Sequence, residues 1–384
     1  MVLQPGTGII FDSPYNAYFA GATVSGRIEI VLNKPKKIKG ILFQVRGCAD
    51  VKWSEQHTRT VNGRTQYYQT SYYAQEEYFK MKYYCIGGQD TIILPPGTHI
   101  YPFSIVLPPN LPSSFEGMYG TIRYIAKFSL ERPWKFNQET KTAFTVVSPY
   151  DLNKFPNLLT PFKVQQEKYF CCGCCRSGPL TGALMVPKTG YVCGERIPII
   201  AEVDNASNYP ITNITVKFQQ FTSFYSQYPC RQVKTDVKVF ERMKLGTVKA
   251  RESKSWNKFL LIPPLPPSSL GFCSIIDSEY QLFLEVSAGS FHINLKTTLP
   301  ITIGTIPVMA IENPLRDDAS APPDYDTAMA ISASAPNAPI SPLQTFGENE
   351  AFSVKSIADE SDGAHSQDKG YTPSYPTYNF GYNG

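Results

Sequence analysis

Four residues of this chain carry a readable binding chemistry: Pro322-Pro323-Asp324-Tyr325. Consecutive prolines hold a backbone near polyproline II before any partner arrives, so little entropy is lost on docking into an aromatic groove. The tyrosine fills a second pocket and fixes the direction of the peptide, which is how WW domains read a Pro-Pro-x-Tyr ligand. Inside a folded domain such a match would be chance; here it falls in a stretch whose composition predicts an accessible tail. Pro373-Ser374-Tyr375 and Pro376-Thr377-Tyr378 repeat the pattern without its first proline. They are weaker WW candidates, able to add avidity if a partner carries several such modules.

Cys171-Cys172-Gly173-Cys174-Cys175 gathers four of the nine cysteines into two overlapping Cys-x-x-Cys pairs. A structural zinc site needs four convergent ligands, and adjacent cysteines cannot all turn towards one ion. Cys193 or Cys230 could complete a metal site, though the spacing does not single them out; beside Tyr169 and Phe170 the cluster also suits reversible S-acylation, which would help hold the chain at a membrane, and a loop of free thiols is the plain alternative. Two basic runs, Lys34, Lys36, Lys37, Lys39 and Lys234, Lys238, Arg242, Lys244, either meet acidic lipid head groups or a phosphorylated cargo segment, or are solvated hairpins. They lack the interleaved aromatics of single-strand nucleic-acid binders, so no nucleic-acid partner is expected. The four histidines, His57, His99, His292 and His365, fit no metalloprotease, triad or Cys-His spacing, and no glycine loop cradles a phosphate. The chain therefore reads as a binder, not an enzyme, with no cofactor or metal. The acidic pair Glu76 and Glu77, in a tyrosine-rich strand, is expected to face solvent.

Whole-chain quantities agree. A length of 384 residues suits two domains, each with its own core. The aromatic share of 13%, with abundant Val, Ile and Thr, favours strands. Residues 313–384 hold three basic and ten acidic side chains, which leaves 33 of the 36 basic and 22 of the 32 acidic residues, a surplus of +11, in the first 312 positions. A basic body with an acidic tail suits an anionic partner surface such as an acidic membrane, or is an ordinary solvated surface with a solubilising tail. An odd cysteine count, no apolar N-terminal leader and no apolar run of about 20 residues predict a reduced, soluble, cytoplasmic chain. The sequons at Asn205 and Asn213 are then chance matches.

Ahead of the tail, the chain reads as strands. Ile28, Ile30 and Leu32 alternate with Arg27 and Glu29; Ile41, Phe43 and Val45 with Gln44 and Arg46; Ile122, Tyr124, Ala126, Phe128 and Leu130 with Arg123, Lys127, Ser129 and Glu131. Each pattern sets one face on a core. Asn62-Gly63 marks a tight hairpin. Two features recur in the same order: Gly26-Arg-Ile-Glu-Ile with Gly194-Glu-Arg-Ile-Pro-Ile-Ile, then Leu107-Pro-Pro-Asn-Leu-Pro-Ser-Ser with Leu261-Ile-Pro-Pro-Leu-Pro-Pro-Ser-Ser. The repeat predicts duplicated antiparallel sandwiches over 1–148 and 179–312, a linker with the Cys-rich segment over 149–178, and a disordered tail over 313–384 that buries too little to order itself.

Ile10-Phe-Asp, Gly21-Ala-Thr-Val-Ser-Gly26, Leu94-Pro-Pro-Gly97, Tyr101-Pro-Phe103, Leu107 to Gly117, Ile122-Arg-Tyr124 and Pro179-Leu-Thr-Gly182 together resemble the arrestin domain-containing proteins, or α-arrestins. The resemblance covers roughly residues 8–305 and the tail motif. It implies an all-β fold of two tandem arrestin-like, immunoglobulin-like β-sandwich domains. It also implies an adaptor that binds membrane receptors or transporters as cargo and brings a HECT-type ubiquitin ligase through its WW domains. Cargo would then be ubiquitinated, endocytosed and sorted, with the cytoplasmic protein recruited to plasma membrane and endosomes. Relatives often carry two full Pro-Pro-x-Tyr motifs, whereas this tail has one. No acidic-flanked leucine box is present, so direct clathrin recruitment is not expected. The alternative is a ligase-independent arrestin-fold scaffold in endosomal transport, like the arrestin-fold subunit of retromer.

Overall fold

The computed structural model describes residues 4–172, 175–288, 294–308, 345–348 and 371–381. Among them there is no α-helix. The first sandwich comprises β1 (Gly8–Phe11), β2 (Ala17–Phe19), β3 (Thr23–Leu32), β4 (Lys36–Val61), β5 (Arg64–Leu94), β6 (Gly97–Val106), β7 (Phe115–Glu116), β8 (Gly120–Glu131) and β9 (Gln138–Val147). One sheet runs β1-β3-β6 and the other β2-β9-β8-β4-β5, with β7 also paired to β8. Two 3₁₀ turns, Leu152–Lys154 and Pro156–Leu159, lead into the second sandwich. Its strands are β10 (Phe162–Cys172), β11 (Cys175–Val186), β12 (Gly190–Val192), β13 (Arg196–Asn205), β14 (Ile211–Tyr225), β15 (Val233–Val248), β16 (Glu252–Leu261), β17 (Ile276–Ser287) and β18 (Leu295–Gly304). They form the sheets β10-β11-β13-β16 and β12-β18-β17-β14-β15.

Alternation decides which face is covered. In β8, Ile122, Tyr124, Ala126, Phe128 and Leu130 lose all exposure, while Arg123 and Lys127 stay partly exposed. Asn62 and Gly63 both take positive φ, 51° and 75°, the turn that matches the right-handed twist of two strands joined by two residues. β4 pairs with β8 only from Gly40 to Val51. Its pairing with β5 continues to Val61 opposite Arg64, so a two-stranded arm projects beyond the sheet.

The repeat seen in the sequence is structural. Tyr124 on β8 donates its hydroxyl to the carbonyl of Pro112 at 2.6 Å, and Tyr280 on β17 does the same to Pro266 at 2.8 Å. The Ser114 hydroxyl accepts from the Val146 amide at 3.0 Å, and Ser268 from Ile303 at 2.8 Å. In both sandwiches a proline-rich crossover is pinned to the core by a tyrosine and a serine. Such backbone groups, shut away from water, must find partners.

Two boundaries differ from expectation. Phe162–Cys172, assigned by sequence to a linker, is β10, paired along β11 as the edge of the second sandwich. The end of the tail is not free either. Ser374–Thr377 forms β20, pairs with β19 (Thr345–Glu348), and lies buried between the sandwiches. The rest of the expected tail, with Pro322, Pro323 and Tyr325, falls outside the described residues.

Candidate functional site at the domain seam

Second-sandwich side chains complete the first sandwich's core. Phe224, Leu270, Ile275 and Ile276 are buried in the same cluster as Phe43, Phe115 and Tyr124. Phe224 lies 5.7 Å, ring to ring, from Tyr119, edge on. The β4–β5 arm adds polar ties. Tyr73 donates its amide to the Tyr228 carbonyl at 2.9 Å and accepts from the Gln227 and Tyr228 amides, while the two tyrosine rings stack at 5.4 Å. Lys234 Nζ meets the Glu55 carboxylate at 2.9 Å. Glu76, partly exposed, accepts from the Ser274 amide and hydroxyl and so serves the seam, while Glu77 faces solvent as the sequence suggests.

The C-terminal segment lies across this seam. On the first sandwich, Tyr371 donates its hydroxyl to the Phe144 carbonyl at 3.1 Å and the Ser374 amide donates to Thr145 Oγ1 at 3.0 Å. Tyr375 donates its hydroxyl to the Ser114 carbonyl at 3.0 Å. On the second, the Tyr378 amide donates to the Cys193 carbonyl at 3.0 Å, and its hydroxyl donates to the Thr305 carbonyl. Tyr378 also packs with Leu152 and Val192, flanked by Val308 and Phe380. A methyl group on Gly194, whose φ is +87°, would sit 2.0 Å from the Tyr378 carbonyl oxygen, so the close approach of the two backbones requires glycine there. Burial pushes the hydroxyl of Tyr375 well above the ordinary phenol range and those of Tyr371 and Tyr378 up to about 12. All three are neutral donors at physiological pH.

Beside the segment lies a buried ion pair. Glu116, without exposed surface, takes two hydrogen bonds from the Arg123 guanidinium, at 2.6 and 2.8 Å. Burial raises its carboxyl above the ordinary range, and Arg123 opposes the rise. The Glu116 charge adds a smaller rise at the Tyr371 and Tyr375 hydroxyls, which Arg123 opposes at Tyr371.

The residues singled out from sequence are dispersed. Pro373, Tyr375, Pro376 and Tyr378, offered as weaker WW ligands, are packed into the seam; Tyr375 is 0% and Tyr378 7% exposed. No WW groove can grip a ring enclosed in this way. Cys172 and Cys175 stand opposite one another in the register of the β10–β11 hairpin, with Cys171 opposite Arg176, while Cys174 lies outside the described residues. Of the basic runs, Lys34, Lys37 and Lys39 are exposed, Lys36 bonds Gln138 and Lys234 is spent on Glu55. Burial lowers Lys238 to about 8. The Asn205 sequon is internal, its side-chain amide donating to the carbonyls of Tyr209 and Lys249. Burial pushes the thiols of Cys48 and Cys193 up to about 12, far from a thiolate nucleophile. Sequence reasoning missed the seam; its one local sign was the triple tyrosine spacing of residues 371–378.

Residues 7–153 match the family model for the N-terminal domain of arrestin, or S-antigen, and residues 176–308 match that for its C-terminal domain. The chain is 34% identical over 311 residues to arrestin domain-containing protein 17 of Caenorhabditis elegans, covering 79% of this chain and 71% of that one. It is 31% identical over 307 residues to human arrestin domain-containing protein 4, covering 78% and 71%, respectively. Human arrestin domain-containing protein 1 is 27% identical over 293 residues, covering 76% of this chain and 62% of its own length.

Proposed function

The chain belongs to the arrestin domain-containing family, and from that premise we propose that it is a non-enzymatic adaptor, joining membrane-protein cargo to a HECT-type ubiquitin ligase. Pro322, Pro323 and Tyr325 make the ligase contact by entering a WW groove. The sandwiches hold cargo, a receptor or transporter at the plasma membrane or endosome, and the exposed lysines 34, 37 and 39 face acidic lipid. Ligation then marks the cargo for endocytosis and sorting. Carrying this reading is the single intact Pro-Pro-Asp-Tyr sequence, set between the last strand of the second sandwich and the segment docked at the seam.

The test is a titration of the full-length protein against isolated WW domains of HECT-type ligases, beside its Tyr325→Ala variant. Saturable binding lost in the variant is the expected outcome. Binding unchanged by the substitution, or absent throughout, overturns the ligase contact and leaves the ligase-independent scaffold.

A further inference from the structure

The seam has the anatomy of a peptide-binding groove already holding its ligand. Residues 371–378, Tyr-Thr-Pro-Ser-Tyr-Pro-Thr-Tyr, touch both sandwiches, meeting the second at Cys193, Gly194, Thr305 and the Leu152–Val192 patch. Recognition is by side chain at three fixed places. Each tyrosine hydroxyl donates to a main-chain carbonyl, of Phe144, Ser114 and Thr305 in turn. The prolines between them pre-extend the peptide. Gly194 keeps the floor low enough for the peptide backbone.

We propose that this groove is a binding site for extended peptides with unmodified tyrosines in the spacing Tyr-x-x-x-Tyr-Pro-x-Tyr, filled in cis by the chain's own C-terminal segment, and that it rejects the phosphorylated form. The inference does not rest on the WW contact of Tyr325. Rejection follows from the lining. A phosphotyrosine offers only acceptor oxygens where the groove offers carbonyl oxygens. It would bring close to two negative charges beside the buried Glu116 carboxylate, whose partner Arg123 already makes two bonds to it. At Tyr375, whose hydroxyl meets the Ser114 carbonyl, the phosphate would be desolvated against an acceptor and a like charge. Groove occupancy therefore depends on the phosphorylation state of these tyrosines, and a competing peptide of the same pattern from another protein can take the place of the chain's own segment.

The test uses a labelled peptide of residues 369–384, unmodified or phosphorylated at Tyr375. It is titrated by fluorescence anisotropy against the full-length protein and its Tyr375→Ala/Tyr378→Ala variant, which vacates the groove in cis. Saturable binding to the variant is expected, weakened roughly tenfold or more in the unaltered chain by its tethered competitor, and roughly 100-fold or more by the phosphate. Equal binding to both proteins, or equal binding of both peptides, overturns the proposal. Hydrogen exchange on full-length chains ligated to either C-terminal peptide needs no substitution. The Ser374 and Tyr378 amides are expected to exchange slowly when Tyr375 is unmodified and quickly when it is phosphorylated. Fast exchange in the unmodified chain, or slow exchange in both, sinks the idea even if the double variant does not fold.

Discussion

Tyr124 and Tyr280 stand in one relationship to their surroundings: each is fully buried on a central strand and donates to the carbonyl of a proline in the preceding crossover, Pro112 and Pro266. Removing either hydroxyl leaves a buried carbonyl without that donor, at about 1–3 kcal/mol. Tyr124→Phe and Tyr280→Phe are expected to lower the urea midpoint by similar amounts. A loss below about 0.5 kcal/mol at both sites would show that the pins are dispensable.

Phe224 belongs by sequence to the second sandwich and by packing to the first. Phe224→Ala is expected to destabilise by about 3–5 kcal/mol, the usual range for a buried aromatic reduced to alanine. Because the side chain couples the two cores, scanning calorimetry should resolve two transitions in the variant where the unaltered protein shows one. A single transition shifted as a whole would mean that the seam is held by its other contacts.

Burial lowers Lys238 from 10.5 to about 8, with Asp236 opposing. Its folded value thus lies below the unfolded one. Between about pH 8 and 10.5 the unfolded chain binds more proton, so this group makes stability rise with pH across that window; below it the penalty is constant. Lys238→Met is expected to flatten the slope and raise the midpoint at pH 7. Urea titrations at pH 7.5 and 10 on both proteins decide it, and identical slopes would refute the assignment.

Gly194→Ala places a methyl group against the Tyr378 carbonyl at positive φ. Backbone strain alone costs about 1 kcal/mol, and both sandwiches should remain cooperative. The C-terminal segment is expected to leave: Tyr375 and Tyr378 should become accessible to chymotrypsin without loss of the main thermal transition. Cleavage as slow as in the unaltered chain would mean that the glycine is not needed for docking.

What could be read from the sequence was whatever repeats locally. Ile28-Ile30-Leu32, Ile41-Phe43-Val45 and the β8 series report their burial through a period of two, and Asn62-Gly63 reports its turn through positive φ. The proline-rich crossovers gave the duplication. β10 escaped because it is an edge strand with Lys, Gln and Glu along much of its length and no apolar alternation. Phe224, Leu270, Ile275 and Ile276 looked like ordinary members of their own domain, since only the docking of two domains reveals which core they enter. Tyr371, Tyr375 and Tyr378 were hidden for a related reason. Their partners lie more than 70 positions away along the chain, and an isolated tyrosine among prolines carries no period to betray burial.

Val308 and Phe380 pack against the same Leu152-Val192-Tyr378 cluster. The chain between them, which carries the Pro-Pro-Asp-Tyr sequence, therefore begins and ends at one place on the body. In covalent terms it is a handle with both ends riveted, so a single nick within it does not by itself detach the C-terminus. The two pieces would remain one particle, joined by tyrosine hydroxyls, main-chain hydrogen bonds and an apolar patch, and would come apart when those contacts let go.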